Sequence, residues 1–384
     1  MIHRVATQKI LELANSFKAL ALTGPRQSGK TTLAKAVFPD KPYVSLENPD
    51  DRRYAEQDPR GFLGQYSKGA ILDEIQRTPD LFSYLQEILD NSSQRGMYIL
   101  TGSNNFLLQQ SISQTLAGRI AHLFLIPFSL QELDAANLLP PTDNELMLKG
   151  FYPPIYDQNL PVSDWCRNYI RTYVERDVRQ IKNINDLLTF ERFMALLAGR
   201  CGQELNMSAL GVEVGVDSKT IQAWLGVLES SFIVYLLKPH HKNFNKTIVK
   251  RPKVYFYDTA LVCSLLRIKN VELMTNHPLR GAIFENMVIT EMVKKCLNVG
   301  DEVNLSYWRD KTGREVDVIV DEGFNLLPIE IKSGQTVQSD YFKNIEYWNE
   351  LSGEERAVVL YGGGQTQQRS NGTLVVNWRE YLKE

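Results

Sequence analysis

The sequence lacks long apolar runs. No stretch approaches the roughly 18 to 20 consecutive apolar residues that a membrane-spanning helix requires. The opening segment, MIHRVATQKILELANSF, alternates apolar and polar residues at helical spacing, without the apolar core or the small-residue cleavage site of a signal peptide. We therefore expect a cytoplasmic protein that does not contact a membrane.

Cysteine is scarce, and neither sign of charge predominates. The four cysteines are widely separated, none belongs to a CxxC pair, and none is near a paired histidine. This spacing excludes a disulfide framework and a zinc site. The 43 basic and 45 acidic side chains give a formal net charge of −2. Because the chain has no overall positive field, any contact with nucleic acid has to come from a local patch.

The length and the order of patterns predict several α/β and helical domains. A chain of 384 residues exceeds what one hydrophobic core usually supports. Residues 1–135 alternate short apolar runs with helical patterns, which favours a parallel sheet flanked by helices. Residues 136–205 lose the strand pattern and predict a helical subdomain. Residues 206–280 show helix, Gly215 turn, helix and strand, which is a winged-helix-like order, and residues 281–384 begin with a helix that leads into strands.

A glycine-rich phosphate loop follows the first apolar run. The stretch GPRQSGKT matches GxxxxGK[ST], comes directly after LALT and opens a helix beginning TTLAKAVF. In such a loop backbone N–H groups converge on phosphate oxygens, Lys30 reaches the terminal phosphates and Thr31 ligates Mg²⁺. We therefore predict a nucleotide and Mg²⁺ as ligands. The predicted nucleotide contacts in this segment are Gly24, Pro25, Arg26, Gln27, Ser28, Gly29, Lys30, Thr31 and Thr32.

Polar side chains end the next two buried strands. GAILDE finishes with Asp73, predicted to hold the Mg²⁺ shell, and Glu74, predicted to polarise the attacking water. MYILTGSNN finishes with Ser103 and Asn104, which are placed to sense the terminal phosphate.

Two arginines have alternative interpretations. Arg119, in LAGRI, is either a structural residue or a charge-stabilising arginine that acts within the chain or across a subunit boundary. Arg26, inside the phosphate loop, either contacts nucleotide or braces the loop. A role for Arg119 across a subunit boundary would require a homo-oligomer.

A helix-turn-helix pattern precedes a basic segment. SKTIQAWLGVLESSFIVYLL places Ile221 and Trp224 on one helical face and leaves Lys219 and Gln222 on the outer face, which a recognition helix would use. Residues 238–253 then contain six Lys or Arg and no acid, as in a wing that approaches a phosphate backbone. DNA and a protein partner both remain open as ligands of this region, because winged helices also serve as protein-contact modules.

Two apolar runs near the carboxyl terminus carry acids and a lysine. In LPIEIKSG, strand alternation puts Glu330 and Lys332 on one face, and a hairpin with EVDVIV brings Asp317 beside Glu330. Two adjacent carboxylates repel unless a cation lies between them. Mg²⁺ held by Asp317 and Glu330 would activate water for phosphodiester hydrolysis, with Lys332 stabilising charge and Glu285 as a fourth member. The open alternative is simple charge pairing at a sheet edge.

The motifs together resemble a known family. The order GPRQSGKT, ILDEIQ, ILTGSN and LAGR resembles AAA-type ATPases of bacteria and archaea in which this domain precedes a carboxy-terminal region of unassigned function. The similarity continues through WCRNYIRTYVERDV, LESSFIVYLLKP, KVYFYDTAL, EVDVIV and PIEIKSG. The set Glu285, Asp317, Glu330 and Lys332 is similar to the PD-(D/E)XK site of restriction-endonuclease-like proteins.

The resemblance implies an α/β chain with four parts: a P-loop AAA-type ATPase domain, a helical subdomain, a winged helix and a restriction-endonuclease-like domain. We expect an ATPase that couples its nucleotide state to DNA engagement, with Mg²⁺-dependent nuclease activity as an added possibility. The alternative function is an ATP-dependent switch that binds a protein partner and whose nuclease-like domain is inactive.

Overall fold

The computed structural model describes residues 2–103, 115–174, 186–240 and 251–383. The chain divides into two units. The first comprises Met1–Phe128, Ser230–Phe232 and Cys296–Glu302, and the second comprises Ser129–Glu229, Ile233–Lys295 and Val303–Glu384. The predicted boundary at residue 135 and the division of the remaining chain into three domains stay predictions. Among the described helices, none is both long and apolar enough to cross a lipid bilayer.

The first unit is built on a five-stranded parallel sheet with the strand order β2-β3-β4-β1-β5. Its strands are β1 (Ala19–Thr23), β2 (Tyr43–Ser45), β3 (Ala70–Asp73), β4 (Tyr98–Gly102) and β5 (Ile120–Phe124). Its helices are α1 (Ala6–Ser16), α2 (Lys30–Val37), α3 (Pro49–Gln57), α4 (Pro59–Gly64) and α5 (Leu81–Asn91).

The three central strands of this sheet are apolar because helices cover both faces. Every residue of β1, β3 and β4 is buried. Leu22 and Ile99 belong to the core that includes Leu33 of α2, whereas Leu72 belongs to the core that includes Leu85 of α5. Side chains alternate between faces along a strand, so a continuous apolar run is what a doubly covered parallel sheet requires.

The second unit begins with short helices and a two-stranded antiparallel sheet. The described helices up to residue 275 are α6 (Leu130–Ala135), α7 (Asp143–Lys149), α8 (Pro153–Asp157), α9 (Val162–Tyr173), α10 (Leu187–Ala198), α11 (Met207–Val214), α12 (Ser218–Ser230), α13 (Thr259–Leu265) and α14 (Val271–Thr275). Capping boxes start two of them, at Ser129 before α6 and at Thr142 before α7. Strands β6 (Val234–Leu237) and β7 (Lys253–Phe256) are antiparallel.

A six-stranded mixed sheet forms the rest of this unit, with the strand order β12-β13-β11-β10-β9-β8. Strands β8, β9 and β10 are antiparallel, whereas β11 runs parallel to both β10 and β13. The strands are β8 (Leu305–Arg309), β9 (Glu315–Asp321), β10 (Leu326–Lys332), β11 (Ala357–Tyr361), β12 (Gln367–Gln368) and β13 (Thr373–Asn377). The accompanying helices are α15 (Arg280–Asn298), α16 (Lys343–Ser352) and α17 (Trp378–Lys383).

Candidate functional site: a phosphate loop and a carboxylate–lysine cluster

The phosphate loop needs glycine at its first position. Gly24 follows β1 so closely that a Cβ there would lie 2.0 Å from the carbonyl oxygen of Leu125. Gly29 precedes α2 with a left-handed backbone, φ +92°. Gln27 also has a positive φ of +60°, which is uncommon for a residue with a side chain. The loop therefore has the tight, strained backbone that turns N–H groups toward a phosphate.

Lys30 is held by backbone carbonyl groups. Its Nζ atom donates to the carbonyl oxygens of Gly24 at 3.0 Å and Pro25 at 2.7 Å, and the residue is only 6% exposed. Burial lowers the pKa of Lys30 to about 8, although the charges of Glu74 and Asp73 act in the opposite direction. No carboxylate of the described residues forms a direct ion pair with this ammonium, so its charge is available to a ligand.

Asp73 lies at the centre of a network of hydroxyl groups. Thr31 Oγ1 donates to Asp73 Oδ1 at 3.1 Å, Thr101 donates to the same oxygen, and the Tyr43 hydroxyl donates to Oδ2 at 2.8 Å. Burial and the hydrogen bond to Asp73 raise the pKa of Tyr43 to about 12. The network fixes the orientation of the Asp73 carboxylate next to the Thr31 hydroxyl.

Thr31 and Asp73 fit a magnesium ion. Both offer hard oxygen atoms, and Mg²⁺ is usually bound by one or two carboxylates together with substrate phosphates. Their side-chain oxygens already lie 3.1 Å apart at the start of α2. These two residues would hold the ion, and the metal role predicted for them stays a prediction.

Glu74 lies next to this network in a strained conformation. Its φ of +54° is in the left-handed region, and its Oε2 atom accepts hydrogen bonds from Ser103 Oγ at 3.2 Å and from Gln76 Nε2. The side chain is therefore oriented by two neutral donors. The predicted residue Asn104 lies outside the described part of the chain.

A residue that the sequence analysis missed braces the loop. Arg4, only 3% exposed, donates to the carbonyl oxygens of Ser28 at 2.8 Å and Ile126 at 2.6 Å. Arg26 was predicted to contact nucleotide or to brace the loop, and the geometry gives at least part of the bracing role to Arg4. The pattern of α1 carries no signal for this long-range contact. Thr32 is exposed in the first turn of α2.

The sheet places these residues together and Arg119 apart. β1, β3 and β4 are parallel, so the phosphate loop, Asp73 and Ser103 all follow carboxyl ends at one edge. Arg119 precedes β5, which is parallel to β1, and so lies at the opposite edge. It is ion-paired with Asp90. Arg119 therefore does not lie at the nucleotide site of its own chain. A catalytic role across a subunit boundary stays a prediction.

In the second unit, the β9–β10 hairpin brings Asp317 and Glu330 together. The antiparallel register pairs Val318 with Ile329, which places Asp317 beside Glu330. Lys332 Nζ lies 2.6 Å from Glu330 Oε1 and 3.8 Å from Asp317 Oδ2, and Asp317 Oδ2 also accepts the backbone N–H of Ile331 at 2.8 Å. These three side chains lie where the hairpin pattern predicted them.

Glu285 is engaged by a buried lysine instead. Its Oε1 atom accepts hydrogen bonds from Lys253 Nζ at 3.2 Å and from the Tyr255 hydroxyl at 2.5 Å. Lys253 is 2% exposed and is also ion-paired with Glu315. The predicted basic surface of residues 238–253 is therefore wrong at its last residue, because Lys253 points into the second unit. Residues 241–250 lie outside the described part of the chain.

The acids and lysines form one electrostatic cluster. Burial and the charge of Asp317 raise the pKa of Glu330 to about 8, against the opposing effect of Lys332. Burial also raises the pKa of Glu285, against the effect of Lys253. The pKa of Lys253 and the pKa of Lys332 are raised because the nearby carboxylates outweigh the cost of burial.

This cluster does not fit a ready-made metal centre. Lys332 and Lys253 are bonded to carboxylates that a divalent cation would need. Within the described ranges, no group of three or more His, Cys, Asp or Glu side chains is arranged to hold a metal ion. One carboxylate oxygen, Glu330 Oε2, is buried without a hydrogen-bond partner. The predicted metal and catalytic roles of Glu285, Asp317, Glu330 and Lys332 stay predictions.

The predicted recognition helix is α12. Ile221 and Trp224 are buried, while Lys219 and Gln222 are exposed, as the helical pattern indicated. Asp217 caps the helix by accepting the backbone N–H of Thr220 at 2.7 Å. The outer face thus offers polar side chains, and its contact with DNA stays a prediction.

Comparison with protein families divides the chain into three matched segments. Residues 16–134 match a family described as an AAA domain. Residues 143–272 and 280–381 match families described as domains of unknown function, DUF8612 and DUF4143 respectively. The uncharacterized protein Rv2008c of Mycobacterium tuberculosis is 29% identical over 338 residues, which cover 87% of this chain and 74% of that protein.

Two solved structures give weaker likenesses. A Walker-type ATPase of Pyrococcus abyssi covers 69% of this chain and 96% of its own, with 15% identity and a TM-score of 0.44. AMPPCP-bound DnaA from Aquifex aeolicus covers 59% of this chain and 86% of its own, with 15% identity and a TM-score of 0.31. Both scores are too low to carry a functional argument. The family match and the loop geometry show that residues 16–134 are similar to an AAA domain and carry a phosphate loop.

Proposed function

We propose that the first unit binds ATP together with Mg²⁺ and hydrolyses its terminal phosphate bond. The observation that carries this proposal is the state of Lys30, whose ammonium is held by two neutral carbonyl groups beside Thr31 and Asp73. A buried cation without a direct counter-ion is costly unless a ligand supplies negative charge. The phosphates of ATP supply that charge.

Each residue of the site has a separate role. Lys30 binds the terminal phosphates, and the loop N–H groups bind the others. Thr31 and Asp73 would hold Mg²⁺, which neutralises charge on the phosphates when bound. Glu74 orients the attacking water, aided by Ser103 and Gln76, which fix the Glu74 carboxylate. Water adds to the terminal phosphorus, the bond to the bridging oxygen breaks, and the products are ADP and inorganic phosphate.

The test separates binding from turnover. Glu74→Gln should retain ATP affinity and lose about 10²- to 10⁴-fold in hydrolysis rate, because it removes the group that positions the water. Lys30→Ala should lose ATP binding itself. Asp80→Asn, which changes an exposed acid beyond β3, is the matched control and should behave like the wild type. Wild-type turnover in Glu74→Gln would contradict the assigned role, and undiminished ATP binding in Lys30→Ala would contradict the site.

DNA engagement by the second unit is a second candidate. The order α15-β8-β9-β10-α16-β11, with three antiparallel strands followed by a parallel one, supports a restriction-endonuclease-like assignment for this region. The exposed Lys219 and Gln222 of α12 support a winged-helix contact with a groove. We assign no cleavage step, because Lys253 and Lys332 already neutralise the carboxylates that would have to hold the metal.

Salt dependence tests this candidate. Fluorescence anisotropy with a labelled duplex should show binding that weakens steeply between about 50 and 200 mM salt, because phosphate contacts release counterions. Lys219→Glu should weaken binding to all sequences, whereas Lys295→Glu, at an exposed site on α15, should not. Binding that is absent at the lowest salt concentration, or insensitive to Lys219→Glu, would remove α12 as a DNA contact.

A further inference from the structure

A large open cavity lies within the second unit, in the segment that matches a domain of unknown function. Its volume is about 960 Å³, at the upper end of the size of ligand sites. Residues of five helices line it: α7, α9, α10, α13 and α14. None of its lining residues belongs to the phosphate loop or to the carboxylate–lysine cluster, so neither of those sites explains it.

The inner surface of the cavity is apolar. Cys166, Ala260, Cys263 and Ile268 back it, and each is at most 5% exposed. Burial raises the pKa of both thiols, which therefore stay uncharged. The apolar surface continues outward at Val271 of α14, which lines the cavity and is 40% exposed.

The rim of the cavity is cationic. Five basic and two acidic side chains line it, so the lining carries a net charge of +3. One acid, Glu145, accepts hydrogen bonds from Thr142 in the capping box of α7. By contrast, Arg267 and Lys269 form no ion pair with any described residue.

The positions of the cations match a helical ligand. Arg167 and Arg171 are exposed and lie one turn apart on α9, with the lining residue Ile170 between them. Acids four residues apart on a docked helix have the same spacing. Arg267 and Lys269 follow α13 and contribute positive charge from a second element. A ligand with an apolar stripe and acidic flanks would complement both the floor and the rim.

We propose that this cavity is a docking site for an acidic amphipathic helix of a partner protein. An apolar centre with a polar, charged rim is the usual anatomy of a protein interface, and helix-in-groove recognition uses such a surface. A specific small-molecule site places polar groups deep in the pocket, but the floor here has none that is charged. A single-stranded nucleic acid needs stacking aromatics, and none of the described lining residues is aromatic.

The test uses synthetic peptides and the full chain. The probe is a fluorescent amphipathic peptide of about five turns, roughly 18 residues, with leucines on one face and glutamates on the other. Its twin carries lysine in place of every glutamate. We expect saturable binding of the acidic peptide by anisotropy and at least about tenfold weaker binding of the lysine twin.

Variants locate the binding. The double variant Arg267→Glu with Lys269→Glu should bind the acidic peptide at least about tenfold more weakly. Ser264→Trp, which fills the cavity without changing charge, should block binding, whereas Ser264→Ala should not. Arg192→Glu with Lys295→Glu makes the same charge change at exposed positions outside the cavity and should leave binding unchanged. Melting temperature and ATP turnover confirm that each variant is folded.

Several outcomes would overturn the proposal. The first is that the acidic peptide does not bind, and the second is that the lysine twin binds equally well. The third is that Ser264→Trp leaves binding intact, which would indicate mere attraction to a positive surface. Competition by vesicles of anionic phospholipid, or self-association of the chain that Arg267→Glu with Lys269→Glu abolishes, would assign the cavity to a different occupant. ATP turnover is measured separately, so failure here is distinguishable from failure of the ATPase proposal.

Discussion

The two units each bury lysine near carboxylates, but they arrange the charges differently. In the first, Lys30 is bonded to carbonyl oxygens, while Asp73 is bonded to hydroxyl groups. In the second, Lys253 and Lys332 are bonded directly to carboxylates. Opposite charges that are kept apart by neutral groups remain available to a phosphate and a metal ion. Charges that are already paired leave little for a ligand.

The largest effect on stability is expected when the buried lysine of the second unit is removed. Lys253→Met leaves the partly buried Glu285 without its cation, whereas Glu315 keeps its ion pair with Arg309. Removing one partner of a buried ion pair costs up to about 3 to 5 kcal/mol. Urea unfolding should show that loss in the free energy of unfolding. Lys30→Met should cost less stability, since no carboxylate depends on it directly, yet it should abolish ATP binding.

Two control variants complete this prediction. Lys295→Met, at an exposed position of α15, should leave unfolding unchanged. Adding Glu285→Gln to Lys253→Met should recover part of the stability, because it removes the unpaired charge of Glu285. An equal loss of stability in Lys30→Met and Lys253→Met would show that the two lysines are held alike.

The three cluster residues on the β9–β10 hairpin were predictable from the sequence. Alternation along LPIEIKSG puts Glu330 and Lys332 on one face, and the short turn between the two apolar runs fixes the antiparallel register that brings in Asp317. Both signals are local. The phosphate loop was predictable for the same reason, since its glycines, Lys30 and the following helix are adjacent in the chain.

Glu285 was named as a fourth member, but Lys253 and Glu315, which complete the cluster, were not recognised. A run of lysines and arginines normally lies on the surface, and nothing adjacent to Lys253 indicates that two acids from α15 and β9 surround it. One signal was available. Lys253 and Tyr255 alternate along β7, so they share a face, and both contact Glu285. Arg4 was missed in the same way, because its partners lie far along the chain.

The next largest effect is the pH dependence of the free energy of unfolding that arises from Glu330. The pKa of Glu330 is raised to about 8 in the folded protein from an ordinary value of 4.5, so its contribution to stability is complete below about pH 4.5. That contribution is lost as pH rises through 8, at a scale of about 1.4 kcal/mol per unit of pKa difference. The free energy of unfolding of the wild type should therefore fall relative to that of Glu330→Gln between pH 5 and pH 8.

Glu350→Gln is the matched control, because Glu350 is exposed on α16. Its stability should follow that of the wild type across this pH range. A constant difference between wild type and Glu330→Gln would mean that the pKa of Glu330 is not raised, and that Lys332 keeps it ionised throughout.

A smaller effect is the uptake of a proton by Lys30 when ATP binds. With a pKa of about 8, roughly half of this side chain is uncharged at pH 8 before ATP arrives. The phosphates raise its pKa, so binding should take up about half a proton at pH 8 and less at pH 7. Calorimetry in two buffers with different ionisation enthalpies measures that uptake. Lys30→Arg, if it binds ATP, should show none from this position, and unchanged uptake would assign the proton to another group.

The smallest expected effect concerns Arg119, which lies at the sheet edge opposite the phosphate loop and is paired with Asp90 in an exposed position. Exposed ion pairs add little stability, so Arg119→Ala should have the same melting temperature as the wild type. If Arg119 acts across a subunit boundary, wild-type turnover per chain should rise with protein concentration, and Arg119→Ala should lose only that rise. Asp90→Asn breaks the same ion pair but keeps the arginine, so it should retain the rise. Turnover that is independent of concentration in all three proteins would leave Arg119 with a structural role, and the first unit would then hydrolyse ATP with the residues of one chain alone.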